Sequence, residues 1–271
     1  MKKIFFVFAF ALAMVSCSDR QAPMVEWSFQ ASYSTKASID AGSGAFSWKG
    51  GDKIAVWNET SASFVQFSTP AGKGKFSALA PADAHFTSAA FYPATAAKST
   101  GSVSLPASYS SPEEAAAGFV MKADVPTDGN DLSFKHLGAV LVVNLAHLGS
   151  NMDRITVRSS AASLSGDFAV TDGEVRAASG SSTVTVHFVP MADQSLSIAV
   201  PVPVGTYPFT VSLGNETQPD AYTIESDGSL NFERAHLYRL VLVDLLYNGV
   251  ILPVGDTVED YTLENDTNNW E

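Results

Sequence analysis

Apolar residues alternate with small or polar residues in several parts of this chain, most clearly over residues 195–214. From Leu196 to Val204 every second residue is apolar, and after Gly205 the alternation restarts at Tyr207. Successive side chains of a β-strand point to opposite faces, so this pattern predicts two strands that each bury one face. The glycine between them predicts a hairpin turn.

Two prolines in the first of these strands indicate where the strand lies in its sheet. Pro201 and Pro203 are two residues apart, so both would lie on the same side of the strand. Proline has no amide hydrogen to donate, and within sheets it is confined to edges. The strand is therefore predicted to lie at the margin of a sheet, where the prolines would limit unwanted pairing.

Similar patterns predict a series of short strands separated by turn-forming segments. A run that is apolar at nearly every position, Ala139–Leu145, is typical of a central strand covered on both faces. Many short strands with regular turns predict an all-β protein of β-sandwich architecture. The other predicted strands are residues 53–58, 63–68, 74–78, 102–105, 155–158, 183–189 and 238–245.

One segment favours a helix, Ser111 to Ala123. Ser111 suits the N-cap, Pro112 the first turn, and Glu114 the glutamate of a capping box. Gly118 weakens the pattern, so the helix is expected to be short.

The N-terminus has the pattern of an export signal. Lys2 and Lys3 precede an apolar run over residues 4–15. As a helix this run would span about 18 Å, well short of the ~30 Å hydrocarbon core of a membrane. A basic start followed by a short apolar run and small residues predicts a cleaved signal over residues 1–16.

Cys17 is the only cysteine in the 271 residues, so an intrachain disulfide is excluded. Met14-Val15-Ser16-Cys17 resembles the lipobox of bacterial lipoproteins, in which the signal is cut before the cysteine and the cysteine carries lipid. That resemblance implies that Cys17 is a lipid attachment site holding the protein on the outer membrane. Each buried methylene contributes about 0.8 kcal/mol, and firm anchoring needs more than one acyl chain.

Composition and charge exclude several classes of function. The formal net charge is −12 and no basic cluster is present, which argues against nucleic-acid binding. The five histidines, at positions 85, 136, 147, 187 and 236, have no metal-ligand spacing. No nucleophile elbow, phosphate loop or zinc-protease motif is present, and the acidic tail from Asp256 lacks the spacing of an EF-hand. We therefore expect no enzymatic activity, no catalytic residue, no metal and no cofactor, and a structural role for His136.

Six short blocks, in order along the chain, resemble the fimbrillin-like lipoproteins of Bacteroidales (the fimbrillin A and Mfa-like proteins of type V pili). Each block alone is unspecific, and their order and spacing carry the resemblance. The blocks are residues 45–57 (AFSWKGGDKIAVW), similar to W-x-x-G-D-x-I-x-V; 91–93 (FYP); 103–106 (VSLP); 132–137 (LSFKHL), similar to F-x-H; 232–238 (FERAHLY), similar to F-x-A-G-x-x-Y; and 269–270 (NW).

The resemblance implies two tandem transthyretin-like β-sandwich domains after a lipoprotein signal peptide. On this interpretation residues 1–16 are the signal peptide, 17–44 a lipidated tether with the first strand, 45–127 the N-terminal sandwich, and 128–271 the C-terminal sandwich with an acidic tail. The polar, turn-rich residues 124–131 favour that boundary.

The resemblance also implies a function: a structural, tip or anchor component of type V pili, at the cell surface or in the fimbrium. Its partners would be other pilus subunits, joined by strand donation, and a host or bacterial surface ligand. In that family a protease removes the first strand after an arginine, and a strand of another subunit fills the groove. Here the matching position is Lys36 instead of an arginine. The resemblance also implies a C-terminal donor strand, whereas the tail from Asn248 has only a short apolar run. Either departure favours a tip or anchor role over a stalk role.

The alternative is a surface glycan-binding lipoprotein that supports nutrient uptake. It requires an exposed aromatic platform. The candidate side chains are Trp27, Trp57, Tyr109, Tyr222 and Trp270.

Overall fold

The computed structural model describes residues 22–33, 47–145, 151–190, 195–243, 252–253 and 259–262. These residues form an all-β structure with one short α-helix and one turn of 3₁₀ helix. The all-β prediction is confirmed. The signal segment, Cys17 and Lys36 lie outside the described residues.

The strands are numbered in chain order. The first eleven are β1 (Met24–Tyr33), β2 (Lys53–Asn58), β3 (Ser63–Ser68), β4 (Lys75–Pro81), β5 (Phe86–Tyr92), β6 (Ala97–Ser99), β7 (Ser102–Leu105), β8 (Ser108–Tyr109), β9 (Met121–Asp124), β10 (Asp131–His136) and β11 (Ala139–Leu145). The others are β12 (Arg154–Arg158), β13 (Ser165–Thr171), β14 (Glu174–Ser181), β15 (Thr183–His187), β16 (Leu196–Val202), β17 (Gly205–Tyr207), β18 (Thr210–Gly214), β19 (Tyr222–Glu225), β20 (Leu230–Phe232), β21 (His236–Val243), β22 (Leu252–Pro253) and β23 (Glu259–Thr262). The helix α1 is Pro112–Ala117, and the 3₁₀ turn is Ala94–Ala96.

The first part of the chain forms a closed sheet in the order β1-β10-β9-β5-β2-β3-β4, in which β4 returns to β1. Its interior is rich in aromatic rings. Phe29, Phe67, Phe76 and Phe86 are buried there, and Phe29 and Phe67 meet edge to face with their centroids 5.1 Å apart. Such edge-to-face pairs add about 0.5–1.5 kcal/mol to the burial of the rings themselves.

The second part is built from two main sheets around one core. One sheet has the order β16-β11-β21, with β22 and β23 both pairing with β21; the other has the order β19-β18-β12-β15-β8. Side chains from both sheets, such as Leu141 and Ile198 from one and Ile155 and Val186 from the other, pack in a single cluster. Two sheets packed on a shared apolar layer form a β-sandwich. A two-stranded sheet, β17 with β20, accompanies them.

A smaller sheet, β14-β13-β7-β6, links the two parts. Its Val103 and Phe168 pack with Phe91 of β5 in a third cluster of buried residues. Strand pairing also crosses the expected boundary at residue 128: β7 and β8 pair with β13 and β15, while β10 pairs with β1 and β9. The boundary itself, and the transthyretin-like topology, stay predictions.

The predicted hairpin over residues 195–214 is wrong. The first predicted strand is β16, which pairs with β11. The second is divided between β17 and β18, which pair with β20 and β12 in two other sheets. Alternation reports which face of a strand is buried and carries no information about the partner strand. The predicted edge position of the first strand is confirmed, since β16 ends its sheet.

The predicted helix begins as expected and ends early, at Ala117 instead of Ala123. Ser111 is the N-cap, and its Oγ accepts a hydrogen bond from the Glu114 amide at 3.2 Å. The Glu114 carboxylate accepts from the Ser110 amide, 2.6 Å away, one residue before the expected capping-box partner. In the described part of the chain, no helix has the length and apolar character needed to span a membrane.

Candidate functional site

The first strand, β1, fills a gap in the closed sheet. It runs antiparallel to β4, with Met24 opposite Pro81 and Gln30 opposite Lys75, and parallel to β10, with Gln30 opposite Asp131. Each neighbour therefore satisfies main-chain groups that would otherwise be exposed at an edge. β4 depends on this pairing, because its ladder with β3 contains only the pair Ser68 and Ser77.

One face of β1 contributes to the core. Phe29 and Ala31 are 3% and 4% exposed, whereas Glu26 and Gln30 on the opposite face are exposed. Phe29 contacts the ring of Phe86 as well as that of Phe67. Buried and exposed residues thus alternate along this part of the strand, as expected for a sheet that is buried on one side.

Trp27 fixes the other end of the same strand. Its indole N–H donates a hydrogen bond to the carbonyl oxygen of Pro81 at 3.2 Å, and its ring meets Phe86 edge to face at 5.1 Å. Losing β1 would therefore expose aromatic surface together with unpaired strand edges. Burying one Phe side chain contributes about 1.5–3 kcal/mol, so a vacated groove would favour occupation by another strand.

The block containing Trp48 and Asp52 supports the end of this groove. Trp48 packs edge to face on Phe76 and Phe134, with centroid distances of 5.0 and 5.8 Å. Asp52 Oδ2 accepts a hydrogen bond from the Lys49 amide at 2.7 Å, as the turn predicts. Burial raises the pKa of Asp52, and the bond from Lys49 opposes that rise. The block is structural, in agreement with its interpretation as a turn that starts β2.

The last strands lie along the outer edge of β21. Leu242 pairs with Pro253 of β22, and Leu237 pairs with Tyr261 of β23. The acidic tail therefore contributes backbone pairing to the second sandwich, opposite the side on which β21 pairs in parallel with β11.

His136 is a structural residue by its surroundings. It is 3% exposed at the end of β10, and burial, followed by the charge of Arg234, lowers its pKa to about 4. A histidine with this pKa is neutral at physiological pH. Within the described residues no group of three or more His, Cys, Asp or Glu side chains could hold a metal ion.

The aromatic residues considered for a glycan platform do not assemble in the described part of the chain. Tyr109 is 2% exposed and belongs to the core of the second part. Tyr222 is partly buried and packs against that core. Trp27 packs in the closed sheet, and Trp57 packs on Phe64. Trp270 lies outside the described residues.

Sequence reasoning missed two local features. Gly166 and Gly180 are opposite each other in β13 and β14, and a Cβ on Gly180 would overlap the Ser165 carbonyl oxygen. The other is a cleft beside Tyr109, formed by a single stretch of chain, residues 93–118. The close glycines could have been suspected from glycine inside a strand pattern, whereas the cleft has no sequence signal.

A scan against protein-family models and a search of curated proteins gave no match. Solved structures do resemble the chain. A "putative cell adhesion protein" of Bacteroides ovatus aligns with a TM-score of 0.57 and 16% identity, covering 88% of this chain and 98% of the other. A protein of the same description from Bacteroides uniformis aligns with a TM-score of 0.50 and 14% identity, covering 87% and 96%.

The tip fimbrial protein Mfa3 of Porphyromonas gingivalis, truncated at its C-terminus, aligns with a TM-score of 0.38 and 11% identity over 83% of this chain and 97% of that one. That score is too low to establish a shared fold. The sequence resemblance to proteins of Bacteroidales is confirmed at the level of the fold: over most of its length, the chain is folded like the two Bacteroides proteins.

Proposed function

We propose that this protein is a fimbrillin-like surface lipoprotein: a structural, tip or anchor component of type V pili that acts in adhesion. In this proposal it consists of two tandem transthyretin-like sandwiches, is anchored in the outer membrane through lipid on Cys17, and is joined to other subunits by strand donation. Two observations support it: the order of the motif blocks, and the fold shared with two Bacteroides proteins described as adhesion proteins.

The observation that carries the assembly step is the position of β1. This strand contributes Phe29 and Ala31 to the core and pairs with both β4 and β10. A cut after Lys36 would separate β1 from the rest of the chain in sequence. A strand of another subunit entering the vacated groove would form the same kinds of main-chain bonds, which is the energetic basis of strand addition.

The test is limited proteolysis of the unlipidated chain, residues 18–271, with a lysine-specific protease. We expect a cut after Lys36, release of β1, and oligomers that appear only after that cut. Size-exclusion chromatography with light scattering would measure the oligomers, and mass spectrometry the cut.

The matched control is Lys36→Gln, which should stay uncut at this position and remain monomeric under the same treatment. A chain that is cut after Lys36, loses β1 and still remains monomeric at high concentration would contradict assembly through this groove.

A further inference from the structure

A cleft of about 260 Å³ lies where the 3₁₀ turn of the closed sheet approaches α1. Prolines and alanines provide its apolar surface. Its polar groups come from Thr95, Lys98, Ser104, Tyr109 and Glu114. Ligand sites typically combine an apolar lining with a few polar groups that converge on one space. Its volume suits a molecule smaller than the drug-sized ligands that fill pockets of about 300–1,000 Å³.

The strongest sign of a ligand is the hydroxyl of Tyr109. The side chain is 2% exposed, and its oxygen has no hydrogen-bond partner among the described residues. Buried hydroxyls are nearly always hydrogen-bonded, because leaving one without a partner is costly. A partner that binds in the cleft would remove that cost.

Gly118 determines where this hydroxyl lies. A Cβ at position 118 would be 2.8 Å from the Tyr109 oxygen and 2.7 Å from its ring. The hydroxyl end of the tyrosine therefore occupies the space beside the glycine, and both residues line the cleft. Burial, and then the charge of Glu114, raise the pKa of Tyr109, so the hydroxyl keeps its proton and can donate a hydrogen bond.

Two opposite charges also line the cleft. Neither Lys98 nor Glu114 takes part in an ion pair in the parts of the chain that the structure describes. Glu114 uses only Oε2 to accept hydrogen bonds from Ser110, which leaves Oε1 available. A ligand with both an anionic and a cationic group would match the ammonium and the carboxylate together.

We propose that this cleft binds a small zwitterion, namely a free amino acid or a dipeptide. Its carboxylate is placed at Lys98, its ammonium group at Glu114 Oε1, and one of its acceptor oxygens receives the Tyr109 hydroxyl. A neutral saccharide would leave both charges without a counter-charge. The cleft includes no residue of β1, so the proposal does not depend on strand donation.

The test uses the folded chain of residues 18–271 and isothermal titration calorimetry with alanyl-alanine. We expect saturable binding of the dipeptide, and none of N-acetyl-alaninamide, which has neither charge, or of glucose. Lys98→Gln and Glu114→Gln should each weaken binding about tenfold or more, since each removes a charge-assisted bond. Lys53→Gln, an exposed lysine on β2, is the matched control and should bind like the parent chain.

Tyr109→Phe separates binding from structure. Since the hydroxyl has no partner in the described structure, its removal should leave the unfolding midpoint unchanged or higher while weakening dipeptide binding severalfold. The proposal is overturned by an absence of saturable dipeptide binding at millimolar concentration. It is equally overturned by glucose binding as tightly as the dipeptide, or by Lys98→Gln and Glu114→Gln both binding like the Lys53→Gln control.

Discussion

At the scale of single residues, the environment of His136 has a consequence for stability. The imidazole is buried, Arg234 lies nearby, and the folded-state pKa is about 4, below the value of about 6.5 in an unfolded chain. Between these two pH values the unfolded chain binds more protons at this position than the folded chain. By linkage, the stability contribution is complete above pH 6.5 and is lost as the pH falls toward 4.

We therefore predict that acidification from pH 6.5 to pH 4 lowers the free energy of unfolding through His136 by about 3 kcal/mol. Urea denaturation at a series of pH values would measure it. His136→Gln should flatten this part of the profile, because it removes the buried imidazole. An NMR titration of the parent chain that places the His136 pKa near 6.5 would contradict the prediction.

Single residues also differ in how well sequence predicts them. The turn of residues 49–52 was predictable, because glycine and aspartate specify a local geometry and the Asp52 carboxylate reaches an amide three residues away. Tyr109 was not predictable, since its burial depends on where β8 joins β15, more than seventy residues further along the chain. Local hydrogen bonds can be deduced from neighbours in sequence, and long-range packing cannot.

At the scale of elements, Phe29 is the large side chain by which β1 enters the core of the closed sheet. Phe29 contacts Phe67 and Phe86, and its truncation would leave a cavity inside the closed sheet. We predict that Phe29→Ala lowers the free energy of unfolding by about 3–5 kcal/mol. The same change should also increase the rate of proteolysis at Lys36, because β1 would leave its groove more often.

Gln30→Ala is the matched control, since Gln30 lies on the exposed face of the same strand. It should change stability by about 0.5 kcal/mol or less. Urea denaturation and gel-based cleavage rates would measure the two effects. Equal cleavage rates for the two variants would show that the burial of Phe29 does not control access to this segment.

The positions of several strands were predicted well from the sequence, whereas the pairing between strands was predicted poorly. Predicted bounds for β2, β3, β7 and β11 agree with the structure residue for residue. The partner of β16, by contrast, is β11 rather than the strand that follows it. Alternation and turn residues are local properties, whereas pairing is decided by the burial of whole faces.

At the scale of the whole molecule, the sequence indicated an all-β chain with two cores and no metal or catalytic centre. The all-β architecture is confirmed, and the chain shares its fold with two Bacteroides proteins over most of its length. The small sheet formed by β14, β13, β7 and β6 could not have been predicted. It joins strands about sixty residues apart, and nothing in their alternation specifies that partnership.

The proposed anchor gives a prediction at this scale. Replacing Cys17, the only cysteine, by alanine should abolish incorporation of a labelled fatty acid and move the protein from the membrane fraction to the soluble fraction of cells. The reason is that acyl chains contribute about 0.8 kcal/mol of membrane-binding free energy per buried methylene, and the Cys17→Ala protein loses this contribution entirely. Ser18→Ala is the control and should remain with the membranes; a Cys17→Ala protein that still incorporates the label would contradict the assignment.

The parallel pairing of β1 with β10 has a consequence for biogenesis. A ribosome makes the chain from its N-terminus, so Gln30 is synthesised about a hundred residues before its neighbour Asp131. Pairings between residues so distant in sequence form slowly, because a long loop must close first. One side of β1 therefore has no neighbour until most of the closed sheet has been synthesised, and a chaperone that binds extended segments could protect it during that interval.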